Sequence, residues 1–537
     1  MADPWEQHQV VRPTLARRTG VPLRTLDVLL RELEANWQAL VPEQNVDIEP
    51  ALRARFLGAW NEHRRVYGYT MLSELPNLLR EALRDHTDLV GLDYDLLVVD
   101  EYQDLNPCDL EVIQRLAQGG CSILAAGDDE QSIYGFRKAD PEGIRRFTND
   151  YPGAIEYPLS LTRRCAKAIV EWARTVIEGD PRRNPNRPPL TALPAAPDGT
   201  VALLAFSGQL AEAQGVADLV GHLISKEGLQ PSDILILMKG DYNAAFSAPI
   251  KDRLDRMGVP VADPDVVARA LDEHKNRRSL AMLRLLAYTG DSLGWATVLA
   301  LEPGIGDAVF DYLYERALSA GSTFGDAVLS TWSAGFPDAP QGSGRRAADL
   351  VEQAMAWLST QSLPDEMPEE GWGAWMLSTL PTGGVFAGFS DELAEILREL
   401  DVRVEIDTDF PRFLGQIQPL GTDIALARAG GVRLMSMSKS KGLTVEATII
   451  VACEEGLIPR NNPDPSGEER RLLYVAMTRA RRFLFCTWAR RRTGPTARAG
   501  VAKVLERRNV SSYLRGGPVT VRDGRSYVNE LSNPPNK

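Results

Sequence analysis

The stretch Tyr94-Asp95-Leu96-Leu97-Val98-Val99-Asp100-Glu101-Tyr102-Gln103-Asp104-Leu105-Asn106-Pro107 decides the fold class. Four apolar residues, Leu96 to Val99, run into two adjacent carboxylates, Asp100 and Glu101. That pattern predicts a buried parallel strand whose C-terminal end opens into an active site. One carboxylate there can hold a Mg2+ on a nucleotide, and its neighbour can orient or activate a water. A second apolar run, residues 121–126, ends in Gly127-Asp128-Asp129-Glu130-Gln131-Ser132-Ile133-Tyr134-Gly135-Phe136-Arg137. The two runs together point to a nucleoside-triphosphate motor that tracks nucleic acid.

Outward from this centre, the periodicity changes along the chain. Leu26, Leu29, Leu30, Leu33 and Trp37, then Leu52, Phe56 and Trp60, recur at helical spacing. Residues 94–156 alternate strand and helix, as in a doubly wound sheet. A helix is expected over 164–177, then an exposed loop in the Pro/Arg/Asn-rich connector 180–197. Residues 200–260 alternate again, and residues 265–425 are mostly helical. Strands are expected at 432–437, 447–453 and 483–488, with a helix over 468–480. The last 25 or so residues are polar with Gly and Pro and read as a loose tail.

The net charge of −13 argues against a bulk polyanion binder, yet from Glu468 onward basic residues outnumber acidic ones about three to one. Such a patch can attract a phosphate backbone, or can simply be a solvated surface. The five cysteines are scattered without metal-ligand spacing, which fits buried thiols in a reducing cytoplasm. No apolar run approaches a membrane span, and the first residues lack a secretory signal pattern.

Further segments carry candidate chemistry. Gly127 permits a tight turn close to phosphate. Gln131 is an uncharged amide able to contact both a terminal phosphate and a water. Tyr134, Phe136 and Arg137 combine two rings and a guanidinium, as a platform for stacked bases requires. Arg163 and Arg164 follow Leu159-Ser160-Leu161-Thr162 and can reach a phosphate, although a surface arginine pair is the plainer reading. Met435-Ser436-Met437-Ser438-Lys439-Ser440-Lys441-Gly442-Leu443 ends a strand in hydroxyls and lysines, suited to phosphate contacts or to a solvated turn. Arg471, Tyr474, Thr478 and Arg481 are spaced to share one helix face.

In this order, these five segments resemble the signature motifs of superfamily 1 DNA helicases of the UvrD/Rep type, from about residue 55 to about residue 490. The resemblance implies an α/β fold with two RecA-like parallel-sheet domains, the first incomplete, each carrying a helical insertion. It divides the chain into a helical insertion at 1–90, the rest of the first motor domain at 91–158, the second motor domain at 159–264 and 426–510, an inserted helical domain at 265–425 and a tail at 511–537. It implies ATP and Mg2+ as cofactors, single-stranded and duplex DNA as partners, 3′–5′ movement with unwinding, and a role in repair or recombination beside other repair proteins. No membrane is involved. By position, Asp100 resembles the Mg2+ ligand, Glu101 the activator of the attacking water and Gln131 the γ-phosphate sensor. Arg164 and Arg479 resemble arginine fingers. Tyr134, Phe136, Arg137 and Ser438 resemble DNA contacts. Arg163, Lys441, Gly442 and Thr444 stand at nucleotide-side positions.

The sequence departs from the family in four places. Arg163 replaces an adenine-stacking tyrosine, Thr444 a ribose-contacting glutamate and Phe136 a tryptophan. Most important, Gly-x-x-x-x-Gly-Lys-Ser/Thr, the backbone cradle for phosphate, is absent from these 537 residues. The expectation is therefore a chain with little ATP hydrolysis alone and an unpaired apolar sheet edge near residues 94–160. That edge would be covered by a partner, by further chain or by residues 1–50. The alternatives are a non-enzymatic single-strand or partner-binding module, or the larger half of a split helicase whose P-loop half is a separate polypeptide.

Overall fold

The computed structural model describes residues 1–40, 48–86, 94–263, 265–381, 384–386, 388–405, 407–460, 464–500 and 506–532. The described chain forms two compact units. One comprises Met1–Asp93, Pro107–Gly120 and Asp265–Ala425; the other Tyr94–Asn106, Cys121–Pro264 and Leu426–Lys537.

The first unit is helical. Its larger core joins Val11, Leu15, Leu26, Phe56 and Trp60 to Trp295, Leu313, Tyr314 and Phe324. The helical segments expected at 1–90 and 265–425 thus lie in one unit and share apolar side chains. Arg17 fastens them further, with Nη1 2.7 Å from Asp307 and Nη2 3.2 Å from Asp311. A second core gathers Trp372, Leu393, Leu397, Phe410 and Phe413.

The second unit is α/β and carries a seven-stranded parallel sheet, as the alternation predicts. Its strands lie in the order Val521–Asp523, Thr200–Phe206, Ala480–Ala489, Val445–Ile450, Ile234–Met238, Val432–Ser436, Val261–Ala262. Side chains alternate across the pleat. Leu235, Leu237, Leu484 and Cys486 face a core built with helices Lys167–Ile177 and Glu468–Met477. Ile234, Ile236, Phe483 and Phe485 face one built with Gln209–Ser225 and Ser247–Arg256. Both faces are covered, so the strands read as unbroken apolar runs rather than as alternation.

Leu96–Val99 pairs in parallel with Ser122–Ala125, Val99 opposite Ala125, as a separate two-stranded sheet. The expectation of burial fails here: among the described residues the sheet has only these two strands, and one face of each is exposed. Leu96, Val98 and Leu124 are each more than half exposed. Residues from 1–50 place Val10, Val11, Leu15, Leu26 and Leu29 in the helical core instead.

Three further expectations are corrected. The connector 180–197 is not a free loop. Thr191–Ala192 pairs with Leu161–Thr162, and the connector's arginines hold buried acids. The tail expected at 511–537 contains structure as far as Ser532. Val521–Asp523 adds an edge strand beside Leu203–Ala205, and the following helix buries Tyr527 and Val528. Arg481 does not share the face of Arg471, Tyr474 and Thr478, because the helix ends at Met477 and Arg481 lies in the next strand.

Candidate nucleotide and single-strand site

All the sequence-predicted site residues fall in the α/β unit. Asp100 follows the Leu96–Val99 strand and is exposed; its Oδ1 accepts the Glu101 backbone N–H at 2.8 Å. Glu101 has left-handed backbone, φ 51 and ψ 40, a conformation costly for a residue with a Cβ and concentrated at functional sites. Its carboxylate is half exposed, so it can meet a solvent-side ligand.

Gln103 locks this corner. Its Nε2 donates to Glu101 Oε2 at 2.5 Å, and its Oε1 accepts the Asp128 N–H at 2.8 Å. Its carbonyl accepts from Ser132 Oγ at 3.1 Å. Gly127 is required beside it, since a Cβ there would stand 2.7 Å from Gln103 Oε1. Gln103 is fully buried and has no role in the motif reading, although it is the Gln of Asp-Glu-x-Gln-Asp.

Gln131 Nε2 donates to Asp128 Oδ2 at 2.7 Å, and Gln131 Oε1 accepts from Arg479 Nη2 at 3.2 Å. The carboxylate on one side and the guanidinium on the other fix which end of the amide is oxygen. Arg479 is buried, with Nε on the Val475 carbonyl at 2.8 Å and Nη1 on the Leu443 carbonyl at 3.3 Å. Burial, with the charge of Arg164 adding to it, lowers its pKa to about 10, so it remains a cation at neutral pH. Two guanidiniums that repel each other beside an amide make a place that favours an anion.

Lys441 crosses the same corner. Its Nζ lies 2.5 Å from Asp104 Oδ2, 3.1 Å from the Gln131 carbonyl and 3.2 Å from Glu101 Oε2. It also sits 5.3 Å from the centroid of the Tyr134 ring, a cation–π contact. Burial pushes the Asp104 carboxyl up and Lys441 opposes that shift. Tyr134 and Phe136 meet edge to face at 5.9 Å, with Phe136 and Arg137 exposed. Ser438 Oγ lies 3.2 Å from Ser436 Oγ. Gly442, at φ +83, turns the chain after Lys441, and Thr444 is half-buried. Arg163 and Arg164 are exposed on the turn before helix Lys167–Ile177, with the Arg164 N–H on Thr162 Oγ1 at 3.2 Å.

An arginine network not evident from the sequence ties the loop to its neighbours. Arg187 Nη2 meets Asp128 at 2.8 Å, and its Nη1 meets Asp129. Arg183 meets Glu130 and Arg145 meets Asp129, both at 2.7 Å. Arg471, buried, donates Nε to the Ser132 carbonyl at 2.7 Å and Nη1 to Asp180 at 2.8 Å. The only signal in the sequence is composition: an Arg-rich connector and an acidic triplet some 55 residues apart.

Among the described residues no cluster of three or more acids, histidines or cysteines could hold a metal alone. A single exposed aspartate suits Mg2+ whose other ligands are phosphate oxygens and water, the usual habit of that ion.

The UvrD/REP helicase N-terminal domain family matches residues 49–152, and the UvrD-like helicase C-terminal domain family matches residues 391–491. These two segments are similar to the N-terminal and C-terminal domains of UvrD/REP-type helicases. It is 26% identical over 432 residues to the ATP-dependent DNA helicase PcrA of Bacillus subtilis (strain 168), covering 74% of this chain and 55% of that protein. It is 26% identical over 419 residues to DNA helicase II of Escherichia coli (strain K12), covering 74% and 56%. Against the ATP-dependent DNA helicase UvrD1 of Mycobacterium tuberculosis (strain ATCC 25618 / H37Rv) the identity is 26% over 435 residues, covering 73% and 54%. The chain spans about half the length of the curated relatives it matches. No helix among the described residues is long and apolar enough to cross a membrane.

Proposed function

We propose that this chain carries the acid, sensor and arginine groups of an ATP-dependent 3′–5′ DNA helicase that tracks single-stranded DNA in repair or recombination. The observation that carries this reading is the Asp128–Gln131–Arg479 relay. It joins the loop bearing the Tyr134–Phe136–Arg137 platform to the groups that meet a nucleotide. Asp100 would hold Mg2+ bridged to ATP, and the ion would neutralise phosphate charge. Glu101 orients or deprotonates the attacking water, Gln131 reads the terminal phosphate, and Arg164 and Arg479 offset its developing charge. Lys441 touches both Glu101 and the Tyr134 ring, so a base stacked on Tyr134 can move the Lys441 ammonium relative to Glu101. Arg163, Gly442 and Thr444 line the nucleotide side; Ser438 and Arg137 face the DNA.

No phosphate cradle of the Walker type occurs within these 537 residues. Alone, they bind DNA and turn over little ATP. The exposed apolar pair Leu96–Val99 and Ser122–Ala125 supports a further P-loop-bearing segment, in the same or a separate polypeptide, laid against it.

Titration of a fluorescent oligothymidylate with the purified chain tests the binding half. Affinity should fall linearly with salt on logarithmic axes, as phosphate contacts require. Absence of binding at low salt counts against the reading.

A further inference from the structure

We infer that Tyr242 is a second base-stacking residue, extending the single-strand track beyond the Tyr134–Phe136 platform. The inference deepens the proposed function and rests on it. Tyr242 is 86% exposed, more than Phe136 at 73%. Its exposure comes from an anchored turn. On one side Lys239 pairs with Glu469. On the other, Asp241 Oδ1 accepts the N–H groups of Phe246 at 2.8 Å and Ser247 at 3.3 Å. Between these anchors Asn243 and Ala244 both adopt left-handed backbone at φ 53. Alanine disfavours that region, and two successive non-glycine residues held there indicate a conformation imposed by its surroundings. The result is a ring held away from every core.

The loop of this ring and the loop of the platform are tethered to one helix. Glu468 accepts the Gly135 N–H at 3.1 Å, next to Phe136, while Glu469 holds Lys239, three residues before Tyr242. Two consecutive residues at the start of helix Glu468–Met477 therefore tether the two loops that carry these exposed rings. Sheet register adds Ser438 to the same edge, because Met238 lies opposite Ser436 in adjacent parallel strands. A strand of bases leaving Phe136 meets a hydroxyl-bearing turn and then a second flat ring. Such an alternation of rings and hydrogen-bonding groups suits single-stranded nucleic acid of any sequence, because every base offers a π face.

The test measures oligothymidylate affinity of the whole chain by fluorescence anisotropy, with Tyr242→Ala, Tyr242→Phe and Phe136→Ala beside the parent. The inference expects Tyr242→Ala to weaken binding about fivefold or more and Tyr242→Phe to retain it. Parent-like binding by Tyr242→Ala, with Phe136→Ala weakened, overturns the inference and leaves the platform standing. Equal losses in Tyr242→Ala and Tyr242→Phe overturn stacking in favour of the hydroxyl. No binding by the parent, or no effect of either alanine, overturns the platform reading and this inference with it. Tyr242 touches no core, so its variants keep the parent's thermal midpoint.

Discussion

Gln103 shows how one amide can organise a site. It is buried; its side-chain amide donates to Glu101 and accepts the Asp128 N–H, and its backbone carbonyl accepts from Ser132 Oγ. Replacement by leucine keeps the bulk and leaves the Asp128 N–H without its acceptor. Gln103→Leu should lower stability by about 1–3 kcal/mol, the cost of an unmade hydrogen bond in a buried place. Urea denaturation checks it; an unchanged midpoint would contradict the role given to Gln103. The carboxylates and Gln131 were legible because their types and order are themselves the signal. Gln103 stood in the quoted motif, but its function depends on Asp128, 25 residues away, and spacing alone cannot reveal that partner. Glu101's left-handed backbone was equally invisible, since nothing in a glutamate announces it.

Among elements, the connector after helix Lys167–Ile177 and the helix Glu468–Met477 together position the Gln131 loop. The Arg471–Asp180 pair is nearly inaccessible to water. Removing one partner leaves a buried charge alone, which is far worse than removing both. Arg471→Met should destabilise by about 3–5 kcal/mol, and adding Asp180→Leu should recover much of that loss, read from denaturation midpoints of the single and double variants. Equal effects of the single and double changes would remove the pair from the account. The central strands were readable because strands buried on both faces are continuous apolar runs. The connector was misread because Pro, Asn and Arg mark exposed loops in general, and its acids are supplied from far upstream. The edge strand Val521–Asp523 was missed because it is three residues long and exposed, with no apolar run to mark it.

For the whole molecule, the helical unit brings a pH dependence of its own. His63 is fully buried in it, and burial holds its pKa down to about 3, with Arg18 and Arg17 adding to the effect. The folded imidazole stays neutral while the unfolded one takes up a proton below about 6.5. The unfolded state then binds more protons, so stability falls as pH drops from about 6.5 toward 3, by up to about 1.4 kcal/mol per unit. His63→Phe should flatten that part of the stability curve measured by thermal melts from pH 7 to pH 4; an identical slope would contradict it. In the α/β unit the fold class was legible, while the merging of residues 1–90 and 265–425 into one helical unit was not, because amphipathic helices do not name the helices they pack against. On the proposed function, these 537 residues hold the acid, sensor and arginine groups of a helicase without its phosphate cradle. ATP hydrolysis by the purified chain, with and without single-stranded DNA and beside Glu101→Gln, tests that claim most directly. The expected result is DNA binding with turnover no higher than that of Glu101→Gln. Robust DNA-stimulated hydrolysis abolished by Glu101→Gln would contradict it.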